Sequence, residues 1–156
     1  QVRHYNVLQV AISNGAPNPV TIRPEDFAFH RRDGSTARAE SADRVVGDLL
    51  ERAGRGDVVK LVSTYEMGLY GAVRFRSTNG YEQRRQSALA EVSSSKLKAA
   101  AVASAIALVE TRLKSGDSTD GAVFFATYGR PIDSGILTFS LAGQKFEFDV
   151  LAPITP

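Results

Sequence analysis

Gly121-Ala122-Val123-Phe124-Phe125-Ala126, Gly135-Ile136-Leu137-Thr138-Phe139-Ser140-Leu141 and Lys145-Phe146-Glu147-Phe148-Asp149-Val150 decide the fold of this chain. The first segment is apolar-rich, and the other two alternate between apolar and polar residues as strands do. Leu137, Phe139 and Leu141 stand opposite Phe146, Phe148 and Val150 across a short turn, so the last pair reads as a hairpin. The opening segment alternates in the same way. Leu8, Val10 and Ile12 fall on one face of 6–14, and Gln9 and Ser13 on the other. Strand-like ends therefore flank whatever lies between them, and a sheet assembled from both ends is the expectation.

Turn residues punctuate the first third. Asn14-Gly15-Ala16-Pro17-Asn18-Pro19 is a dense turn cluster. Val20-Thr21-Ile22 resumes as a strand that Pro24 ends or places at an edge. Phe27 and Phe29 alternate in a third strand, and Asp33-Gly34 supplies a hairpin-type turn.

The period changes after Ala39. Ser41 is a good helix N-cap, and Ala42, Val45, Val46, Leu49, Leu50 and Ala53 form one apolar stripe at three- and four-residue spacing. Gly54 and Gly56 stop it, and Asp57 reads as the cap of a second short helix. Ala72–Arg76 fits either a short strand or a linker, and 81–92 is helical in composition. Lys96–Lys114 reads as the strongest helix, through Ala99, Val102, Ile106, Val109 and Leu113. Its small apolar middle predicts cover on more than one side. Ser115–Gly121 reads as a loop.

At 156 residues a single domain, 1–156, is the expectation, with enough chain to bury a core. The composition, 43% hydrophobic and 23% charged, argues against disorder over the whole length. A net charge of +2 is too small to argue for nucleic acid by itself. With no cysteine, disulfide frameworks, Cys-based zinc sites and thiol nucleophiles are excluded. No apolar run approaches the roughly 18 residues of a membrane span.

The end segments resemble the immunoglobulin-like β-sandwich domains of secreted and lipid-anchored bacterial proteins. The residues that carry the resemblance are 7–14, ending in Asn14; the Pro-bounded strand 19–27; Asp33-Gly34; the polar loop Lys114-Ser115-Gly116-Asp117-Ser118; and Gly121-Ala122-Val123-Phe124-Phe125 with the final hairpin. It covers roughly half of the chain. It implies an α+β protein, an Ig-like antiparallel sandwich of 5–39 and 121–150 with a helical insertion, 40–115. It also implies a periplasmic, cell-envelope or secreted location, to which a start lacking Met adds weight. The family has no common active site, so the resemblance implies no site residues.

Candidate chemistry is sparse. His4 and His30 lack the spaced ligands that a zinc site needs and read as surface or edge-strand histidines. No Gly-x-Ser-x-Gly nucleophile turn is present. Asp117 and Asp120 share an oxygen-rich loop that lacks the carboxylate alternation of an EF-type calcium site. Arg74, Arg76, Arg84 and Arg85, interleaved with Phe75 and Tyr81, form the best candidate site for an anion or a partner. The resulting expectation is a noncatalytic domain with a binding or structural role and no cofactor. Its partner would be an envelope or other protein rather than nucleic acid. An anion- or nucleic-acid-binding module using 74–85 and a hydrolase with a cleft between sandwich and helices are the alternatives.

Overall fold

A computed structural model describes residues 4–57, 60–61, 95–130 and 134–151. The chain is mixed α+β, and its strands pair antiparallel. In order come β1 (Tyr5–Ser13), β2 (Val20–Ile22), a 3-10 turn (Pro24–Asp26), β3 (Phe27–Arg31), β4 (Thr36–Glu40) and α1 (Ala42–Arg52). Then follow α2 (Ser95–Ile106), β5 (Thr111–Leu113), β6 (Ser118–Ala126), β7 (Gly135–Leu141) and β8 (Gln144–Val150). Six strands form one sheet in the order β1-β6-β4-β3-β7-β8, and β2 pairs with β5 in a separate ribbon.

The order joins the two ends of the chain strand by strand. β6 lies between β1 and β4, with Val7 opposite Phe124 and Leu8 opposite Val123. It is covered on both faces, because adjacent residues of a strand point to opposite sides. Phe124 belongs to a core with Tyr5, Val45, Leu49, Ala99, Ala103 and Ile106, in which α1 and α2 lie against the sheet. Phe125 belongs to a second core with Phe27, Phe29, Leu108, Leu113, Leu137 and Phe139. Leu8, Val10 and Ile12 of β1 pack on that same second core. A flat sheet of this order would hold β1 and β7 far apart, so the sheet curls and its inner face closes on itself.

Local sequence accounts for most of the elements. Ser41 caps α1 by accepting from the Arg44 N–H. On the stripe Val45, Leu49 and Ala53 are buried, while Leu50 lies at its exposed border. The β3–β4 turn has Gly34 at φ 85°, and the Asp33 carboxylate accepts from the Ser35 N–H and Oγ. Asn14 and the loop after β5 lock together. The Asn14 side chain donates to the carbonyls of Asn18 and Leu113, its N–H donates to the Asp117 carbonyl, and the Gly116 N–H donates to its carbonyl. Two motifs that carried the sequence resemblance are thus one buried polar joint.

Three expectations are corrected. The helix expected over Lys96–Lys114 ends at Ile106. Beyond it the Leu108 N–H donates to the Ala122 carbonyl and Ala107 bridges to Ala122, so the chain crosses the sheet extended and then forms β5. Gly121 allows this crossing, since a Cβ there would stand 2.7 Å from the Leu108 backbone. The segment 40–115 is therefore not wholly helical. Second, the loop expected over Ser115–Gly121 ends early: β6 starts at Ser118, where Ser118, Thr119 and Asp120 pair with Ser13, Ile12 and Ala11. Third, Asp57 does not stand ahead of its helix. Residues 55–57 are already helical, and the Asp57 carboxylate accepts from the Gly54 N–H one turn back.

Candidate functional site

Among the concave regions of the described residues, two bear on function. The larger, about 710 Å³, lies where α1 crosses the ends of β1 and β6. Tyr5 lies at its floor, only 5% exposed, with its ring edge-on to Phe124 at 6.1 Å. Glu40 and Asp48 line the walls, and each is paired with an arginine one helical turn on. The Arg44 Nε stands 3.4 Å from Glu40 and the Arg52 Nε 3.7 Å from Asp48. Such partly exposed i,i+4 pairs contribute only about 0.3–0.5 kcal/mol each, and with Asp43 and Glu51 also lining the cleft its carboxylates outnumber its arginines.

Burial pushes the Tyr5 phenol up to about 12, and the Asp48 and Glu40 carboxylates add to the rise. A phenol held protonated is a hydrogen-bond donor at neutral pH, not a base or a nucleophile. Its proton is bound more tightly in the folded chain than in the unfolded one. The stability this gives is complete below pH 10.0 and is lost as pH rises through about 12. Urea unfolding followed across that window should show stability falling with pH in the native chain. Tyr5→Phe should flatten the fall, and an unchanged slope would refute the assignment.

The smaller region is an apolar groove of about 300 Å³ between the two edges of the curled sheet. Val10 and Ile12 of β1 line one side, and Phe27, Leu137, Phe139 and Phe148 the other. Phe27 stacks on Phe139 at 4.5 Å, and Phe139 lies 5.9 Å from Phe146. Phe146 and Phe148 are the exposed end of this aromatic row, 42% and 53% accessible.

The residues singled out by sequence are scattered. His30 is not an edge-strand histidine: β3 lies inside the sheet, and its imidazole bridges Thr36 of β4 and Thr138 of β7 at 3.0 and 3.1 Å. His4 borders the larger cleft. The Asp117 carboxylate closes a turn by accepting from the Lys114 N–H, whereas Asp120 lies in β6 and accepts from the Gln9 amide. Among the described residues no group of His, Asp and Glu is arranged to hold a metal ion. Arg74, Arg76, Tyr81, Arg84 and Arg85 lie outside the described residues.

Sequence reasoning missed both concave regions. The Glu40/Arg44 and Asp48/Arg52 spacings were a readable sign of a charged helix face, but nothing local tied them to Tyr5. The last two strands were read correctly as a hairpin, in which Phe146 and Phe148 fall opposite Phe139 and Leu137, while Leu141 and Val150 fall opposite Gln144 and Gly135. That their strand would be the last of the sheet was not readable, because alternation names a face and not a neighbour.

Comparison with protein families, with curated proteins and with solved structures returns no match to this chain. Among the described residues no helix is long and apolar enough to cross a membrane. The class that the fold defines is therefore a mixed α+β protein built on a curled antiparallel sheet.

Proposed function

We propose that this chain is a noncatalytic binding domain of the cell envelope or of a secreted protein, and that it engages its partner at the groove between β1 and β8. The observation that carries the reading is the row of aromatic side chains left open there, with Phe146 and Phe148 exposed on the last strand of the sheet. Exposed apolar side chains grouped beside an unpaired strand edge mark an interaction surface. The larger cleft favours catalysis less, since Glu40 and Asp48 on its walls are paired with arginines and its tyrosine is held protonated.

The immunoglobulin-like relationship belongs to the same proposal. It is supported by the inner faces of β1 and of β7–β8, which meet across one apolar interior as facing sheets do. The envelope location rests on the sequence resemblance, and fractionation of the full gene product in its own host tests it. Recovery in the cytoplasm alone would overturn that part.

A fluorescent apolar probe tests the groove. The dilute native protein should bind it at neutral pH, and Phe148→Ser should weaken binding about tenfold while leaving the circular dichroism spectrum and the melting temperature near those of the parent. Probe binding that is absent, or indifferent to Phe148, would overturn the reading.

A further inference from the structure

The turn between β7 and β8 determines which backbone groups β8 leaves free. Ala142 and Gly143 both have positive φ, 49° and 79°, and form a two-residue hairpin loop. Such a loop makes Leu141 and Gln144 a hydrogen-bonded pair, and pair types alternate along an antiparallel ladder. Gln144, Phe146, Phe148 and Val150 therefore spend their backbone groups on β7. Lys145, Glu147 and Asp149 turn theirs away from β7, to an edge that no strand among the described residues pairs.

Side chains alternate along the same strand. Phe146 and Phe148 share the inner face with Phe139 and Leu137, and Lys145, Glu147 and Asp149 occupy the outer face. Strand edges in monomeric proteins are commonly guarded by charges pointing inward, by proline, by bulges or by a covering segment. Charged side chains on the edge are a further guard, and β8 has Lys145, Glu147 and Asp149. Among the described residues it has no proline, bulge, inward charge or covering segment, and its inner face is aromatic.

We propose that the groove's partner is a second copy of this chain, with the two β8 strands pairing antiparallel about a two-fold axis through Glu147. This rests on the binding-domain reading above and names its occupant. The strand is self-complementary in that register. Lys145 falls opposite the partner's Asp149, Phe146 opposite the partner's Phe148, and Gln144 opposite the partner's Val150. The free backbone groups of Lys145, Glu147 and Asp149 all meet free groups of the partner strand. The two Glu147 carboxylates approach each other at the axis, and each is held by its own Lys145 at 2.8 Å. Each end of the joined outer face thus sets a lysine against an aspartate, which is favourable across a strand pair, while the like-charged Glu147 pair at the centre opposes the contact and is offset by the two lysines. On the inner face the partner's Phe146 and Phe148 extend the aromatic row toward Val10 and Ile12, the far wall of the groove. A slip of two residues sets Asp149 opposite the partner's turn in one direction and opposite the partner's Glu147 in the other, so strand overlap and charge together select the register. An isologous two-fold contact of this kind closes on itself and does not propagate into fibres.

Sedimentation equilibrium from low micromolar to submillimolar protein should show a monomer–dimer equilibrium. Lys145→Asp and Asp149→Lys should each weaken the dimer about tenfold, and the double exchange should restore it. Because the chain has no cysteine, Glu147→Cys gives a clean covalent readout. Mild oxidation should yield a disulfide-linked dimer, while Ser140→Cys, exposed on β7, stays monomeric. Circular dichroism on each variant keeps loss of fold apart from loss of pairing. A single monomer mass at every concentration, an exchange that fails to restore pairing, or Glu147→Cys linking no faster than Ser140→Cys would overturn the proposal. The two readings fail separately. If apolar probe still binds at the groove while the protein stays monomeric, the second copy is wrong and the binding surface stands.

Discussion

Phe124→Ala and Phe125→Ala should each remove about 3–5 kcal/mol of folding stability, and they should do so in different halves of the molecule. Both rings are essentially inaccessible, at 1% and 0%. They are neighbours in sequence yet point to opposite faces of β6, the strand that joins the first strand of the chain to β4. Phe124 supports the layer of α1 and α2 together with Tyr5, Val45 and Leu49. Phe125 fills the interior of the curl, 6.1 Å from Phe29. Most domains are stable by only about 5–15 kcal/mol, so either change takes a large share. Urea unfolding measures the loss, and amide exchange locates it. The first variant should loosen Val45 and Leu49 and spare Phe29 and Leu137, and the second should do the reverse. A loss below about 1 kcal/mol, or the same exchange pattern in both variants, would contradict the two-core arrangement.

How much of this was legible in the sequence depends on the range of the interaction concerned. Alternation in 6–14 and in the final hairpin named the strands and the faces correctly, because a period of two is a local property. Ser41 and the stripe of α1 were legible for the same reason. The end of α2 was not. Val109 and Leu113 continue the spacing of Ala99, Val102 and Ile106, so periodicity alone extends the helix to Lys114. What stops it is a contact with Ala122 and Gly121, which the sequence does not place beside Ala107 and Leu108. Leu113 is buried as an apolar stripe would require, but in the core inside the curl and not in the one beneath the helices. The positions of β6 between β1 and β4, and of β8 at the edge, are likewise matters of topology. They create both concave regions, which is why neither region could be read from its residues.

The central claim is that the two ends of the chain are neighbours in one sheet, and a single engineered bridge tests it. Ser13 and Ser118 are directly opposed on β1 and β6, their hydroxyls 2.9 Å apart although 105 positions separate them in sequence. In the cysteine-free background, Ser13→Cys/Ser118→Cys should close an intramolecular disulfide under mild oxidation. Closing a loop of about that length should add up to about 4.7 kcal/mol by the chain-entropy account, read as a raised melting temperature that reductant reverses. Two thiols that remain free and fully alkylated in the folded double variant would show that these strands do not meet.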